Sequence, residues 1–256
     1  MNLLRSEWLK ATTTKVLAGL TIGAIAFSCL NVVLLILVRP AATRDVPAGA
    51  VLSNPDYLTN ILGSAGSSAF FALIAGIIGM TAEFRHLTIT PTFLAAPRRS
   101  SVLVAKSLLY LVIGAVMGAI AFVVSFGLAL ILLASREHAP IDGGKVLQIL
   151  GGIVLGYAIY AFVGVAVGAL VRVQVAAVIG ALVVTLILEP LISLFFSDIG
   201  RWLPAAALQS VLQATSAGAR GAVDTLPVGA GALLLIGYAV VFGAIASATT
   251  LRRDIT

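Results

Sequence analysis

The chain has 256 residues, of which 60% are hydrophobic and 10% are charged, and its net charge is +6. Soluble domains carry about 25% charged residues, so a soluble fold of this composition would lack the polar surface that it needs. The basic residues lie beside long apolar stretches and form no basic domain. This placement argues against nucleic-acid binding and favours enrichment of Lys and Arg on one side of a membrane. The single cysteine, Cys29, excludes an intrachain disulfide.

Six apolar stretches are long enough to cross a bilayer as helices. The first, Val16–Val38, has 23 residues and would reach about 35 Å as a helix, compared with roughly 30 Å for a hydrocarbon core. Unbroken apolar runs exclude barrel strands, in which apolar and polar residues alternate. We therefore predict an all-α membrane protein that forms one domain over residues 1–256, with six spans. Their predicted bounds are Val16–Val38, 61–82, 107–134, 146–171, 175–196 and 228–251.

The basic residues of the connections predict the orientation of the chain. The side that holds both termini carries ten Lys and Arg residues, and the opposite side carries six. Because basic residues concentrate on the cytoplasmic side, we predict that both termini are cytoplasmic. The first apolar stretch is too long for the core of a cleavable signal peptide, so we expect it to remain as a span.

The segment that precedes the first span has two different faces. Trp8 lies on an apolar helical face, whereas Arg5, Glu7 and Lys10 point elsewhere. This pattern is typical of a short helix that lies in the membrane interface over residues 1–15, with its tryptophan at the depth of the lipid headgroups. The alternative interpretation is an ordinary basic flank of the first span.

The fifth span is predicted to be interrupted at Glu189-Pro190. A proline removes one backbone donor and clashes with the carbonyl four residues earlier, which belongs here to Leu186. The stretch that follows is too apolar for a plain loop and too short for a span. We therefore predict a helix break and then short re-entrant segments on the external side within residues 189–226. Glu189 itself is predicted to be either part of an outer gate or an interfacial cap.

Several polar and aromatic residues of the spans are candidates for a substrate path or its gate. Asn31 either lines a path or hydrogen-bonds a neighbouring helix, and the hydrogen bond is the favoured interpretation. The phenylalanines could line an apolar path, although in most spans they face lipid or other helices. The full set of candidates is Asn31, Phe70, Phe71, Glu189, Pro190, Phe195 and Phe196.

The sequence contains no catalytic constellation and no metal motif. Its two histidines, His86 and His138, fall on predicted opposite sides of the membrane. The nearest approach to a phosphate-binding loop is Gly143-Gly144-Lys145-Val146. A P-loop would need Gly in place of Ala139 and Ser or Thr in place of Val146, so ATP binding by this motif is excluded. We predict that the chain is not an enzyme and carries no cofactor of its own.

The connection between the second and third spans carries the most informative pattern. Residues 83–99 read Glu-Phe-Arg-His-Leu-Thr-Ile-Thr-Pro-Thr-Phe-Leu-Ala-Ala-Pro-Arg-Arg, and Ala105-Lys106 follows. Residues 88–96 could form a short helix along the membrane surface, with Arg98, Arg99 and Lys106 at the anionic headgroups. A solvated loop is the alternative interpretation.

This connection resembles the cytoplasmic connection of type-2 ATP-binding-cassette (ABC) exporter permeases. The family pattern is close to Glu-Tyr/Phe-Arg-x-Gly-Thr, then an apolar stretch, then Pro-x-Arg and Ala-Lys, and Leu87 departs from its glycine. The opening residues 4–10 also resemble the interfacial helix of these permeases. The number of spans and the interruption at Glu189-Pro190 agree with the resemblance, which therefore extends over essentially the whole chain.

The resemblance implies partners and a mechanism. A second permease subunit, identical or homologous, and two separate P-loop ATPase subunits carrying ATP and Mg would complete the transporter. Residues 83–101 would be a cytoplasmic coupling segment that docks in a groove of the ATPase and acts as a coupling helix, and alanine at Glu83 or Arg85 would uncouple transport. ATP binding would close the ATPase pair, push the coupling helices and open the path outward. The implied coupling residues are Glu83, Arg85, His86, Thr88, Thr90, Phe93, Leu94, Pro97 and Arg98.

The sequence therefore predicts the permease subunit of an ATP-driven exporter in the bacterial plasma membrane. Its substrate is predicted to be hydrophobic, amphipathic or drug-like, since few charges are available to hold a polar solute in the membrane. Two alternatives remain. A secondary transporter would be expected to carry coupling carboxylates deep in the membrane. The other alternative is a non-transporting subunit that anchors or senses within a membrane complex.

Overall fold

The computed structural model describes residues 8–9, 14–38, 51–85, 99–213 and 226–252. Within these ranges the chain is helical and contains no strand, and six helices are long and apolar enough to cross a membrane. The predicted all-α architecture with six spans is thereby confirmed. The helices are span 1 (Lys15–Val38), span 2 (Pro55–Arg85), span 3 (Arg99–Leu133), span 4 (Gly143–Val171), span 5 (Gln174–Phe195) and span 6 (Val228–Arg252).

Side-chain contacts show that consecutive spans run in opposite directions. Lys106, near the start of span 3, reaches Glu83, near the end of span 2. Arg136, just beyond span 3, reaches the carbonyl of Ile36 near the end of span 1. The bundle therefore has two distinct ends. We call the end that holds Arg85 the proximal end and the opposite end, which holds Arg136, the distal end.

Spans 2 and 4 form the centre of the bundle. In the most apolar part of each span, the buried share is 78% for span 2 and 67% for span 4, compared with 11% for span 5 and 11% for span 6. The two central helices meet at Gly76 and Gly164, where a Cβ on either residue would clash with a backbone carbonyl of the other helix. Small residues permit this close approach, and the resulting dispersion contacts drive association where lipid offers no hydrophobic force.

Span 2 begins at Pro55, earlier than the predicted start near Ile61. Asn54 is the N-cap, and its Oδ1 accepts a hydrogen bond from the backbone N–H of Asp56 at 2.8 Å. An Asn cap followed by proline in the first turn is a favoured helix start, although the polar residues there hide it from a hydropathy pattern. A 3₁₀ segment, Ser64–Ala69, then tightens the helix before its regular part resumes.

A buried polar network crosses the bundle at this 3₁₀ segment. Ser28 Oγ of span 1 donates to the carbonyl of Ala65 at 2.9 Å and lies 2.6 Å from Ser68 Oγ. Ser68 also hydrogen-bonds the hydroxyl of Tyr157 in span 4. The network ties spans 1, 2 and 4 together. Interhelical hydrogen bonds in membranes contribute about 0.6 kcal/mol each on average.

Span 5 continues as a helix through the Glu189-Pro190 pair, which corrects the predicted break there. The α-helix Gln174–Val183 passes into a π turn, Val184–Leu188, and then into a second α-helix, Glu189–Phe195. A π turn widens the helix, which relieves the clash of the proline ring with the preceding turn and absorbs the missing donor. The chain leaves the helical conformation at Phe196 instead, where φ is −133° and ψ is 75°.

Two short helices follow at the distal end, Ser197–Gly200 and Pro204–Leu212. The second, which we call the distal helix, packs closely on span 4. A Cβ at Gly152 would clash there with the backbone carbonyl oxygen of Val211. Residues 214–225 lie outside the described ranges, so the re-entrant path of residues 189–226 stays a prediction.

Candidate functional site

The last turn of span 2 holds a buried ion pair. Glu83 Oε1 lies 3.1 Å from Lys106 Nζ of span 3, and both residues are almost fully buried. Removing either partner would take away an opposite charge that compensates the other one at a place without water. Glu83 precedes the connection between spans 2 and 3, and Lys106 follows it. The pair therefore joins the two ends of the segment that was predicted to couple the chain to an ATPase.

This burial changes one expectation drawn from the sequence. Lys106 does not lie among lipid headgroups, because its ammonium group is inside the bundle against Glu83. A buried ammonium needs a partner of opposite charge, and the carboxylate supplies it. The predicted contact of Glu83 with a partner ATPase stays a prediction. The structure adds that the same carboxylate has an intramolecular role.

The two residues after Glu83 contact other parts of the bundle. The guanidinium carbon of Arg172 lies 5.5 Å from the centroid of the Phe84 ring, which is a cation–π contact. Arg85 Nη1 donates to Gln174 Oε1, at the start of span 5, over 3.4 Å. Three consecutive residues of span 2 thus contact span 3, the turn between spans 4 and 5, and span 5. We call this set the proximal junction, and its members are Glu83, Phe84, Arg85, Lys106, Arg172 and Gln174.

Most of the predicted coupling residues lie outside the described ranges. In the connection between spans 2 and 3 they are His86, Thr88, Thr90, Phe93, Leu94, Pro97 and Arg98. After the connection, side chains are described from residue 102 onward. Arg5, Glu7 and Lys10 of the N-terminal segment also lie outside the described ranges. Trp8 is helical and its side chain is exposed. The coupling helix and the interfacial helix therefore stay predictions.

At the distal end, Glu189 caps the distal helix. Its Oε2 accepts a hydrogen bond from the backbone N–H of Ala205 at 2.6 Å, and the residue is buried. Ala205 belongs to the first turn of Pro204–Leu212. The first N–H groups of a helix lack partners within the helix, and its positive end favours a carboxylate. Of the two roles predicted for Glu189, the geometry supports the cap, and the outer gate stays a prediction.

The other path candidates near the middle of the bundle contact their own or an adjacent helix. Asn31 Nδ2 donates to the carbonyl of Phe27 at 2.9 Å, which corrects the expected bond to a neighbouring helix. The short asparagine side chain reaches the carbonyl four residues earlier in its own helix. Phe70 and Phe71 stack with their ring centroids 4.5 Å apart, and Phe27 meets Phe70 edge-on at 5.3 Å. These rings join span 1 to span 2.

The path candidates of span 5 lie apart from this aromatic contact. Phe195 and Phe196 are 72% and 61% exposed at the distal end of the span. Pro190 is also exposed, two residues after the π segment. The four phenylalanines predicted as one group therefore fall into two places, and their role in a gate stays a prediction.

Sequence reasoning missed two interactions that the structure shows. The first is the pairing of Glu83 with Lys106, for which a signal existed. Opposite charges at the ends of consecutive antiparallel spans are expected to pair, because an isolated charge in a span is costly. The second is the network of Ser28, Ser68 and Tyr157, which has no comparable signal. Serines in membrane helices often bond their own backbone, so their partners depend on how the helices pack.

Comparison with known proteins adds a family to this geometry. Residues 44–248 match a sequence model described as ABC-2 family transporter protein. The matched region includes the proximal junction, the π turn of span 5 and the distal helix. No curated protein matches the chain significantly. Within the described ranges, no group of three or more His, Cys, Asp or Glu residues is placed to hold a metal ion.

Proposed function

The chain belongs to the ABC-2 family of transporter proteins, and from this premise we propose that it is the permease subunit of an ATP-driven exporter. Two separate P-loop ATPase subunits, which bind ATP and Mg, would supply the energy. A second permease subunit, identical or homologous, would complete the path. The transporter would lie in the bacterial plasma membrane with both chain termini in the cytoplasm, so that the proximal end faces the ATPases.

The observation that carries the proposal is the proximal junction. The ends of the connection are joined by the Glu83–Lys106 pair, so a force on residues 86–98 would act on spans 2 and 3 together. Phe84 and Arg85 would pass it to the turn between spans 4 and 5 and to span 5. Packed helices shift as rigid bodies between discrete arrangements. Docking of one short segment on an ATPase would thereby reposition four of the six spans.

We also propose that the exported substrate is hydrophobic, amphipathic or drug-like. Among the described residues, the buried charged side chains are Glu83, Lys106 and Glu189. The first two neutralise each other, and the third caps a helix. The bundle thus offers few groups that could replace the hydration shell of a polar solute. An apolar or amphipathic molecule avoids that cost.

ATP-driven uptake into inverted membrane vesicles tests the proposal. The chain is co-expressed with the P-loop ATPase that co-purifies with it, and uptake of an amphipathic dye is measured with ATP and with a non-hydrolysable analogue. Arg85→Ala removes an exposed contact with Gln174 and leaves the buried ion pair intact. We expect uptake to fall about tenfold, as for the loss of a typical coupling free energy. Membrane insertion and assembly with the ATPase should survive.

Arg136→Ala is the matched control. Arg136 is also exposed, and its one long hydrogen bond, to the carbonyl of Ile36 at 3.5 Å, lies at the distal end. Its uptake should stay near that of the wild type. Wild-type uptake by the Arg85 variant would count against coupling through the proximal junction. Uptake without any ATPase would instead favour a secondary transporter.

A further inference from the structure

A long apolar groove lies between spans 4, 5 and 6. Its volume is about 260 Å³, and its walls come mainly from residues 159–171 of span 4 and residues 176–189 of span 5. At 1.5 Å per residue, the wall formed by span 5 extends over about 20 Å. The length and the apolar lining of the groove suit one extended alkyl chain.

The distal end of the groove is the polar end. Glu189 supplies the one carboxyl group among the groove residues, all of which are described. Its Oε2 is occupied by the N–H of Ala205, and a carboxylate has a second oxygen with its own lone pairs. Tyr160 and Tyr238 also line the groove, and aromatic rings attract cations. The proximal end, around Ala176, is lined by apolar side chains.

The membrane setting decides which part of a ligand is recognised. An alkyl chain gains little by leaving lipid for an apolar protein wall, since lipid tails are as apolar as the wall. The alkyl chain of an amphiphile therefore fills the groove, and the headgroup decides which amphiphile binds. A cation next to Glu189 would be attracted, whereas an anion would meet a like charge.

We propose that this groove binds single-chain cationic amphiphiles, with the chain along span 5 and the cationic head at Glu189. Its role as a substrate site rests on the proposed export function. The loose packing of span 5, of which only 11% is buried in its most apolar part, gives a chain lateral access from the bilayer. The site lies within one permease chain, so binding requires neither the second subunit nor the ATPase.

Photolabelling of the full chain in nanodiscs tests the proposal. The probes are decyltrimethylammonium and decyl sulfate, each carrying the same photoreactive diazirine on its chain, and mass spectrometry maps the labelled peptides. We expect the cation to label residues 159–189 about tenfold more strongly than the anion, a preference that corresponds to ~1.4 kcal/mol. Equal labelling by the two probes would overturn the proposal, as would labels spread over all six spans.

Variants separate the headgroup from the chain. Glu189→Gln keeps an oxygen for the N–H of Ala205 and removes the charge, so the preference for the cation should disappear. Gly180→Leu places a side chain in the groove, where a Cβ at Gly180 meets nothing within 4 Å, and labelling by both probes should fall. Gly151→Leu is the control, because Gly151 has the same free space on span 4 but does not line the groove. Unchanged labelling in the Gly180 variant would overturn the assignment.

Two further outcomes are decisive. A phospholipid that native mass spectrometry finds in the groove, and that decyltrimethylammonium does not displace, would make the groove a lipid site and overturn the proposal. The labelling needs neither ATP nor the ATPase, so its result is independent of vesicle uptake. Selective labelling without ATP-driven uptake would keep the cation site and reject the export function. ATP-driven uptake without selective labelling would keep the export function and reject the cation site.

Discussion

Glu83 at the proximal end and Glu189 at the distal end are both buried, at 4% and 5% exposure, but they have different kinds of partner. Glu83 pairs with the ammonium of Lys106, which carries a full charge. Glu189 accepts a hydrogen bond from the N–H of Ala205, at a helix end that carries about half a charge. The comparison teaches that a buried ion pair joins spans 2 and 3 at the proximal end, where loss of either charge is costly. The distal end is held by a weaker cap with capacity for a ligand.

The spans that carry the two glutamates also differ in how much of them is buried. Glu83 belongs to span 2, which is 78% buried in its most apolar part, whereas Glu189 belongs to span 5, which is 11% buried there. A change at the proximal end is therefore expected to disturb packing throughout the bundle. A change at the distal end is expected to remain local.

The largest expected effect is at the proximal end. Lys106→Met removes the ammonium that lies 3.1 Å from the buried carboxylate of Glu83, and we expect a loss of about 3–5 kcal/mol of stability. Thermal unfolding of the purified chain in detergent measures this loss. The exchange of both residues, Glu83→Lys with Lys106→Glu, restores a pair and should recover most of the stability. If the single variant unfolds like the wild type, or the exchange recovers nothing, the ion pair does not hold this end together.

Alanine at Glu83 is expected to lower stability as well as coupling. Glu83→Ala would remove the carboxylate that lies 3.1 Å from the buried ammonium of Lys106, so lost export could reflect lost folding. Arg85 is exposed and makes a separate contact, which makes it the sharper probe of coupling.

A smaller effect is expected at the distal end. Glu189→Ala removes the cap of the distal helix, and loss of a helix cap costs about 0.5–2 kcal/mol. Glu189→Gln should lose less, because its amide oxygen can still accept from Ala205. The same thermal unfolding assay compares the two. A loss in Glu189→Ala as large as that in Lys106→Met would remove the distinction between the two ends.

Asp142→Ala removes a second helix cap and serves as the control for the loss of the cap at Glu189. Asp142 Oδ1 accepts from the backbone N–H of Gly144 at 3.0 Å at the start of span 4, but it is exposed. Water can replace much of this bond, so its loss should lie toward the lower end of the same range. The buried cap at Glu189 should cost more to remove than the exposed cap at Asp142.

The smallest expected effect is an interaction between the ends. In the isolated chain, Arg85 lies at the proximal end of span 2 and Glu189 lies near the distal end of span 5. The two residues share no described partner. The effects of Arg85→Ala and Glu189→Gln on stability should add within about 0.3–0.5 kcal/mol. A double-mutant cycle on unfolding free energies measures the difference. A larger interaction energy would show that the two ends are already linked without the ATPase.

Much of the fold could be predicted from the sequence, and the errors have identifiable causes. Hydropathy located every span, but it placed the start of span 2 too late, because Asn54 and Pro55 are polar or turn-forming residues that still begin a helix. Proline chemistry located the irregular part of span 5 correctly. It assigned the wrong form to it, since a π turn at Val184–Leu188 absorbs the defect without a break.

The candidate site was predictable only in part. The segment after Arg85 was identified through its resemblance to a family, and the match over residues 44–248 supports that family. Lys106 was predicted to lie at the lipid headgroups, whereas the structure pairs it with Glu83 of span 2. The groove beside span 5 was not predicted, because its walls combine side chains of three spans, and only the packing of the helices decides which side chains face each other.

The sequence by itself determined the number of spans, their order and the family, because hydropathy and a local motif are read along the chain. Only the tertiary structure decided which side chains meet across spans, as Glu83 does with Lys106 and Ser68 with Tyr157. The physical reason is that helices of this kind are apolar on nearly every side. Their rotation and depth are set by the fit of small residues, such as Gly76 against Gly164, and not by a polar face that a sequence pattern would reveal.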